Sequence, residues 1–281
     1  MGPEHAARPA AAPRRRRARL PRLLGTAGLV LAALAPTTES QAAAMDPDSP
    51  TGPQGAWAGY SVGMPARHDL PQPGGGPTGV DVSGHQGAVD WAAARDGGAR
   101  FAYIKATEGT DMTSDQFANQ DAGAAQQGLV RGAYHFARPD KSSGAAQAAF
   151  FLDHGGGNAR DPRVLPGSLD IERNPYGDEC YGLPPQALSA WIADFNTTYH
   201  QRTGHFPLLY TTTKWWNRCT GANPDFARTN PLWIARYAPN TGPLPAGWRE
   251  HALWQFANQG PLPGDQNSFN GALEELNQLA G

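Results

Sequence analysis

From residue 78 onward, short runs of apolar, β-branched and aromatic residues alternate with segments of helical or loop character. The runs Gly79–Ser83, Phe101–Ala106, Val130–Phe136, Val164–Ile171, Phe206–Thr211, Leu232–Tyr237 and Leu253–Phe256 are the expected strands. They read as strands covered on both faces, the pattern of a parallel sheet. Helices are expected near Trp91–Gly97, Ser114–Gln127, Ser142–His154, Pro185–Arg202 and Thr213–Arg218. In the second, Ser114 is the expected cap, and Phe117, Ala118, Ala122 and Ala125 recur at 3–4 spacing. Seven or eight strands in about 200 residues, most separated by helices, predict an α/β fold of (β/α)8 barrel type rather than an open sheet. The later strands crowd together with little helix between them, so the second half is expected to be irregular. No internal repeat or second globular module is visible.

The first 44 residues differ. Arg14, Arg15, Arg16, Arg17, Arg19 and Arg22 precede an apolar run from Leu23 to Ala35, and Ala42-Ala43-Ala44 follows as a small-residue cleavage site. That order predicts an export signal over 1–44. Thirteen apolar residues are too few to span about 30 Å of hydrocarbon, so no lasting membrane association is expected. The Arg16-Arg17 pair is compatible with the twin-arginine route as well as the general one. Residues 45–77, rich in Pro and Gly and ending in Gly74-Gly75-Gly76-Pro77, read as a linker or N-terminal extension. Trp57 and Tyr60 are unusual there and suggest that part of it lies against the domain over 78–281.

Losing the signal changes the charge. Seven of the 23 Lys and Arg and two of the 25 acids lie in residues 1–44, leaving 16 basic against 23 acidic groups, a net −7. No basic cluster remains to follow a phosphate backbone, so nucleic acid is not an expected partner; a weakly charged glycan is compatible. A monomer is expected. In an exported chain the two cysteines, Cys180 and Cys219, are expected to pair.

In such a barrel, chemistry sits where strands end. The expected strand ends carry Asp81, then Lys105 and Glu108, then Tyr134 and His135, then Asp170 and Glu172; Asp265 lies near the C-terminus. Asp170 and Glu172 are the sharpest feature. Residues i and i+2 of a strand face the same way, with Cα atoms about 6.5–7 Å apart. Two carboxyls so placed cannot both ionise freely, and an acid that keeps its proton beside an ionised partner suits cleavage of a glycosidic bond. The competing reading is a pair of acids satisfied by nearby cations. Lys105 and Glu108 either pair with each other or contact a ligand.

His135 has no companions at metal-ligand spacing and reads as a neutral structural histidine; neither metal nor cofactor is expected. No G-x-S-x-G elbow follows an expected strand, and no phosphate-binding glycine loop does either. Tyr134, Tyr210, Trp233, Tyr237 and Trp254 fall in or at the ends of expected strands. Aromatic faces stack on sugars, although core packing accounts for some of these rings. Tyr134, Tyr210 and Tyr237 are the favoured sugar contacts, with Trp233 a further candidate.

These residues resemble the motifs of glycoside hydrolase family 25 lysozymes. The likeness runs through Gly79-Val80-Asp81-Val82-Ser83, Gln86, Val89-Asp90-Trp91, Phe101 to Gly109, Gly132 to Phe136 and Leu169-Asp170-Ile171-Glu172. It continues through Leu232 to Tyr237, Trp254-Gln255-Phe256 and Asp265 to Asn270, in order from 78 to about 271. The resemblance implies a modified barrel with eight strands and fewer than eight helices. It implies a secreted enzyme that cleaves the β-1,4 bond between N-acetylmuramic acid and N-acetylglucosamine in peptidoglycan. Four site acids map to Asp81, Asp170, Glu172 and Asp265, with Glu172 as general acid. Two alternatives remain: a chitinase-like hydrolase of acetamido sugars, and a non-catalytic glycan-binding domain, against which the intact Asp170/Glu172 pair argues.

Overall fold

A computed structural model describes residues 75–157 and 161–280; the expected signal and nearly all of the 45–77 extension lie outside the described residues. The elements run β1 (Thr78–Val82), α1 (Trp91–Asp96), β2 (Ala99–Glu108), β3 (Met112–Thr113), α2 (Phe117–Gln126), β4 (Val130–Phe136) and α3 (Gly144–Phe151). They continue with β5 (Ser168–Asp170), α4 (Pro185–Thr203), β6 (Leu208–Thr211), α5 (Thr213–Cys219), β7 (Leu232–Ala235), β8 (Leu253–Ala257), β9 (Asp265–Phe269) and α6 (Leu273–Ala280). The strands pair in the order β1-β9-β8-β7-β6-β5-β4-β2, and β1 also pairs with β2, which closes a barrel of eight strands. β3 is a short hairpin arm on β2. Seven barrel strands are parallel, but β9 runs antiparallel to both β1 and β8.

Several local expectations need correction. Ser114 does not cap α2: the helix starts at Phe117 after Gln116, which makes no side-chain capping bond. Residues 112–113 are held in the β2 hairpin, and Ser114 instead ends it, donating its N–H to Ala106 O at 2.8 Å. The strand expected over 164–171 is regular only over Ser168–Asp170, with Val164 making an isolated bridge to Arg131. Pro166 lies between, and it has no N–H to give a ladder. β9 and α6 were not foreseen.

Caps and packing explain the helices that hold the barrel. Asp90 accepts from Ala93 N–H at 2.9 Å at the start of α1, and Ser143 and Thr212 cap α3 and α5 likewise. α4 begins with Pro185 at its first turn and ends at Gly204, whose φ of +81° suits glycine. Between them Leu188, Trp191, Ile192, Phe195 and Tyr199 form a buried stripe against α3 and the barrel wall. Burying each such side chain stabilises by about 1.5–3 kcal/mol.

Alternation along the strands sorts the barrel into an outer apolar layer and an interior. Val80, Val82, Ala102 and Ile104 join the helices outside. Phe101, Tyr103, Leu208, Trp233, Leu253 and Phe269 share one interior cluster. Gly132 makes room there, since a Cβ would sit 2.4 Å from the Tyr103 ring. The disulfide Cys180–Cys219, with Cα atoms 5.4 Å apart, ties the loop after β5 to α5.

Candidate active site

The polar residues gather at one end of the barrel, where the parallel strands finish. Asp81 lies near the end of β1 opposite Asp265, which opens the antiparallel β9, so the reversed strand delivers its first residue to the same end. Asp170 ends β5, level with Phe136 on β4 and Tyr210 on β6. Glu172 follows two residues later. All four acids are buried, none more than 1% exposed.

Gln255, on β8, joins much of this. Its Nε2 donates to Asp81 Oδ2 at 2.8 Å and to Asp265 Oδ2 at 3.2 Å. Its Oε1 accepts from the Tyr210 hydroxyl at 3.0 Å and the Tyr237 hydroxyl at 2.7 Å. Asn267 on β9 adds a second donor to Asp81 Oδ2 at 2.6 Å, and its Oδ1 accepts from the Trp233 indole at 2.8 Å. Sequence reasoning named neither as a functional residue. The available signal was a lone glutamine between Trp254 and Phe256 in a buried strand, a position where an amide needs a purpose.

Asp81 and Asp170 titrate abnormally. Burial pushes Asp81 up to about 6, while the Gln255 and Asn267 amides pull against it. Asp170 is held well above the usual carboxylate range, first by burial and then by the Glu172 charge, with Lys105 opposing. Both Asp170 oxygens lack hydrogen-bond partners among the described residues. Two carboxyls so close and so buried cannot both ionise freely, so the pair holds on to a proton more readily than two separate acids would.

The other expected residues sit as follows. Tyr134 and Tyr210 are about 1% exposed, within electrostatic reach of Asp81, Asp170 and Glu172; Tyr237 is half-buried. Trp233 lies deeper, its ring 4.8 Å from Tyr103 and 4.9 Å from Tyr210. Lys105 and Glu108 form a buried ion pair at 2.8 Å, and Arg138 reaches the other Glu108 oxygen at 3.4 Å. His135 is buried between Thr107 Oγ1, 2.8 Å from Nδ1, and Gln147 Oε1, 2.9 Å from Nε2; burial lowers it to about 4, so it is neutral.

Residues 80–265, spanning all four acids, match the family model of the glycosyl hydrolases family 25. The chain belongs to glycosyl hydrolase family 25. Lysozyme M1 of Streptomyces globisporus is 41% identical over 94% of this chain and 96% of its own length. The N,O-diacetylmuramidase of Chalaropsis sp is 43% identical over 72% of this chain and 98% of that protein. The solved muramidase of Acremonium alcalophilum superimposes with a TM-score of 0.71 at 53% identity, covering 72% of this chain and 98% of that one. This family 25 chain is therefore a glycoside hydrolase of the lysozyme, or muramidase, type on an α/β barrel.

Proposed function

We propose that this enzyme is exported and hydrolyses the β-1,4 bond between N-acetylmuramic acid and N-acetylglucosamine in peptidoglycan. One observation carries the assignment of roles. Asp170 and Glu172 leave the same strand end as two buried acids, and Asp170 has two oxygens without partners beside a neighbour whose charge raises it. Glu172 gives its proton to the leaving oxygen as the glycosidic bond breaks. Asp170 accepts a hydrogen bond from the N–H of the substrate's 2-acetamido group. That group's carbonyl oxygen then bonds to the anomeric carbon from the opposite face. Water then attacks the same carbon, giving a proton to Glu172, as the bond from the acetamido oxygen breaks and the acetamido group is restored. Asp81 and Asp265, bridged by Gln255, hold the positive charge that develops on the sugar.

Tyr134, Tyr210 and Tyr237 form the wall of the sugar site, with Trp233 supporting Tyr210 from below. The Lys105–Glu108–Arg138 group borders it. The enzyme acts as a monomer outside the membrane, on a glycan strand, using neither nucleic acid nor cofactor. Side-by-side digestion of purified peptidoglycan and chitin tests the substrate: new muramic acid reducing ends are expected from the first. Faster release from chitin would replace this reading with a chitinase-like one. No new reducing ends from either polymer would leave a glycan-binding role.

A further inference from the structure

Tyr181 follows Cys180 in the loop between β5 and α4. Its φ is +60°, the left-handed region, where a non-glycine residue costs about 1–3 kcal/mol. The surroundings force it there. Its N–H donates to Asp178 O at 2.8 Å, and Asp178 Oδ1 accepts from Cys180 N–H at 3.0 Å and Gly182 N–H at 3.3 Å. The loop is then pinned to α5 by the disulfide, by the Trp215 indole donating to Glu179 O at 3.0 Å, and by the Arg218–Glu179 ion pair at 3.0 Å.

What this mount holds is a phenol only 5% exposed, packed edge-on to Trp215 in the apolar cluster between the strands and the helices α3 to α5, within the connection that runs on from Asp170 and Glu172. Its hydroxyl has no hydrogen-bond partner among the described residues. A buried hydroxyl left unpaired costs about 1–3 kcal/mol. A strained backbone and an orphaned donor in one residue are two costs that the fold by itself does not recover.

We propose that the Tyr181 hydroxyl is a substrate-contacting group, donating a hydrogen bond to an oxygen of the sugar seated against Glu172. The disulfide-pinned loop is the mount that aims it. The proposal rests on the reading of Asp170 and Glu172 as the reacting pair. After burial, the Glu172 and Asp170 charges contribute most to raising the phenol, with Asp140 adding and Arg138 opposing, so it stays a donor wherever the acids work. The same acids repel an anion, which selects an uncharged acceptor: a hydroxyl, ring or amide oxygen of the glycan rather than a carboxylate.

Tyr181→Phe deletes a single oxygen and separates this role from a structural one. The thermal midpoint should equal or exceed that of the wild type, because an unpaired buried group is gone. At the same time kcat/KM on peptidoglycan should fall about 5- to 100-fold, the loss of one buried hydrogen bond. Binding gives a second readout: in a Glu172→Gln background, Tyr181→Phe should weaken calorimetric binding of a peptidoglycan-derived tetrasaccharide by a similar factor. A kcat/KM within twofold of wild type together with unchanged binding overturns the proposal. So does a fall in thermal midpoint that accompanies the activity loss, since the hydroxyl would then serve the fold. Full activity in Glu172→Gln would instead overturn the site assignment, whatever Tyr181→Phe does.

Discussion

Asp81 and Asp265 face each other across the antiparallel β1–β9 pair and share one side-chain amide, Gln255 Nε2, at 2.8 and 3.2 Å. The amide cannot turn over without aiming its oxygen at two carboxyls, and the Tyr210 and Tyr237 hydroxyls on Oε1 hold it in the productive sense. One side chain thus sets the geometry of two acids and two phenols.

Gln255→Met should remove that control. Asp81 is raised by burial to about 6 and lowered in part by its Gln255 bond, so losing the donor lets it rise further. An Asp81 that works ionised is then protonated over a wider range. The acid limb of the kcat/KM–pH profile is expected to move to higher pH, with activity reduced at pH 6. A profile superimposable on that of the wild type would show that Gln255 does not tune Asp81.

Glu172→Gln is nearly isosteric and removes only the transferable proton. Activity on peptidoglycan should fall by about 10²–10⁴, the usual worth of a general acid, with the fold retained by circular dichroism. A variant within threefold of wild type would end the assignment.

Asp170→Asn has a stability signature. Burial and the Glu172 charge raise the folded-state pKa of Asp170 above its unfolded value, so the folded protein binds this proton more tightly than the unfolded chain. Wild-type stability from this group is therefore present at low pH and is lost as pH rises toward the folded pKa. The asparagine variant lacks that loss, and no hydrogen bond to either oxygen is sacrificed. Its melting temperature should exceed that of the wild type most at pH 7, with the margin closing toward pH 4, while activity drops. A margin independent of pH would mean that Asp170 is ionised without cost.

Substrate assistance predicts retention of configuration. Proton NMR during early hydrolysis should show the β-anomer first, and an initial α-anomer would require direct attack by water. Glycan N-deacetylated at the scissile muramic acid should resist cleavage, because it lacks the internal nucleophile.

Replacing both Cys180 and Cys219 by alanine opens a link between residues 39 apart in sequence. The chain-entropy model assigns such a loop about 4 kcal/mol. Denaturant titration should show a loss near that size under non-reducing conditions. Identical midpoints for the wild type and the double variant would argue that the bond is not formed in the folded protein.

Period-two and helical patterning made most of the barrel legible from the chain alone. Val130–Phe136 is a strand with the expected bounds, and α1, α4 and α5 lie within a residue or so of their expected limits. The carboxyl pair was legible because i and i+2 on a strand share a face whatever surrounds them. β9 was not, since Asp265-Gln266-Asn267-Ser268 is polar where a buried strand should be apolar. Its burial is tolerable only because Asn267 and Asp265 find Asp81, Trp233 and Gln255 on β1, β7 and β8. For the same reason the local pattern marks Gln255 only as an amide in a buried strand and does not mark Tyr181: their significance lies in which groups, brought together by barrel closure, do or do not meet their polar atoms. Local pattern determines which residues face inward on a strand; only closure of the barrel decides which of them share a proton, an amide or nothing.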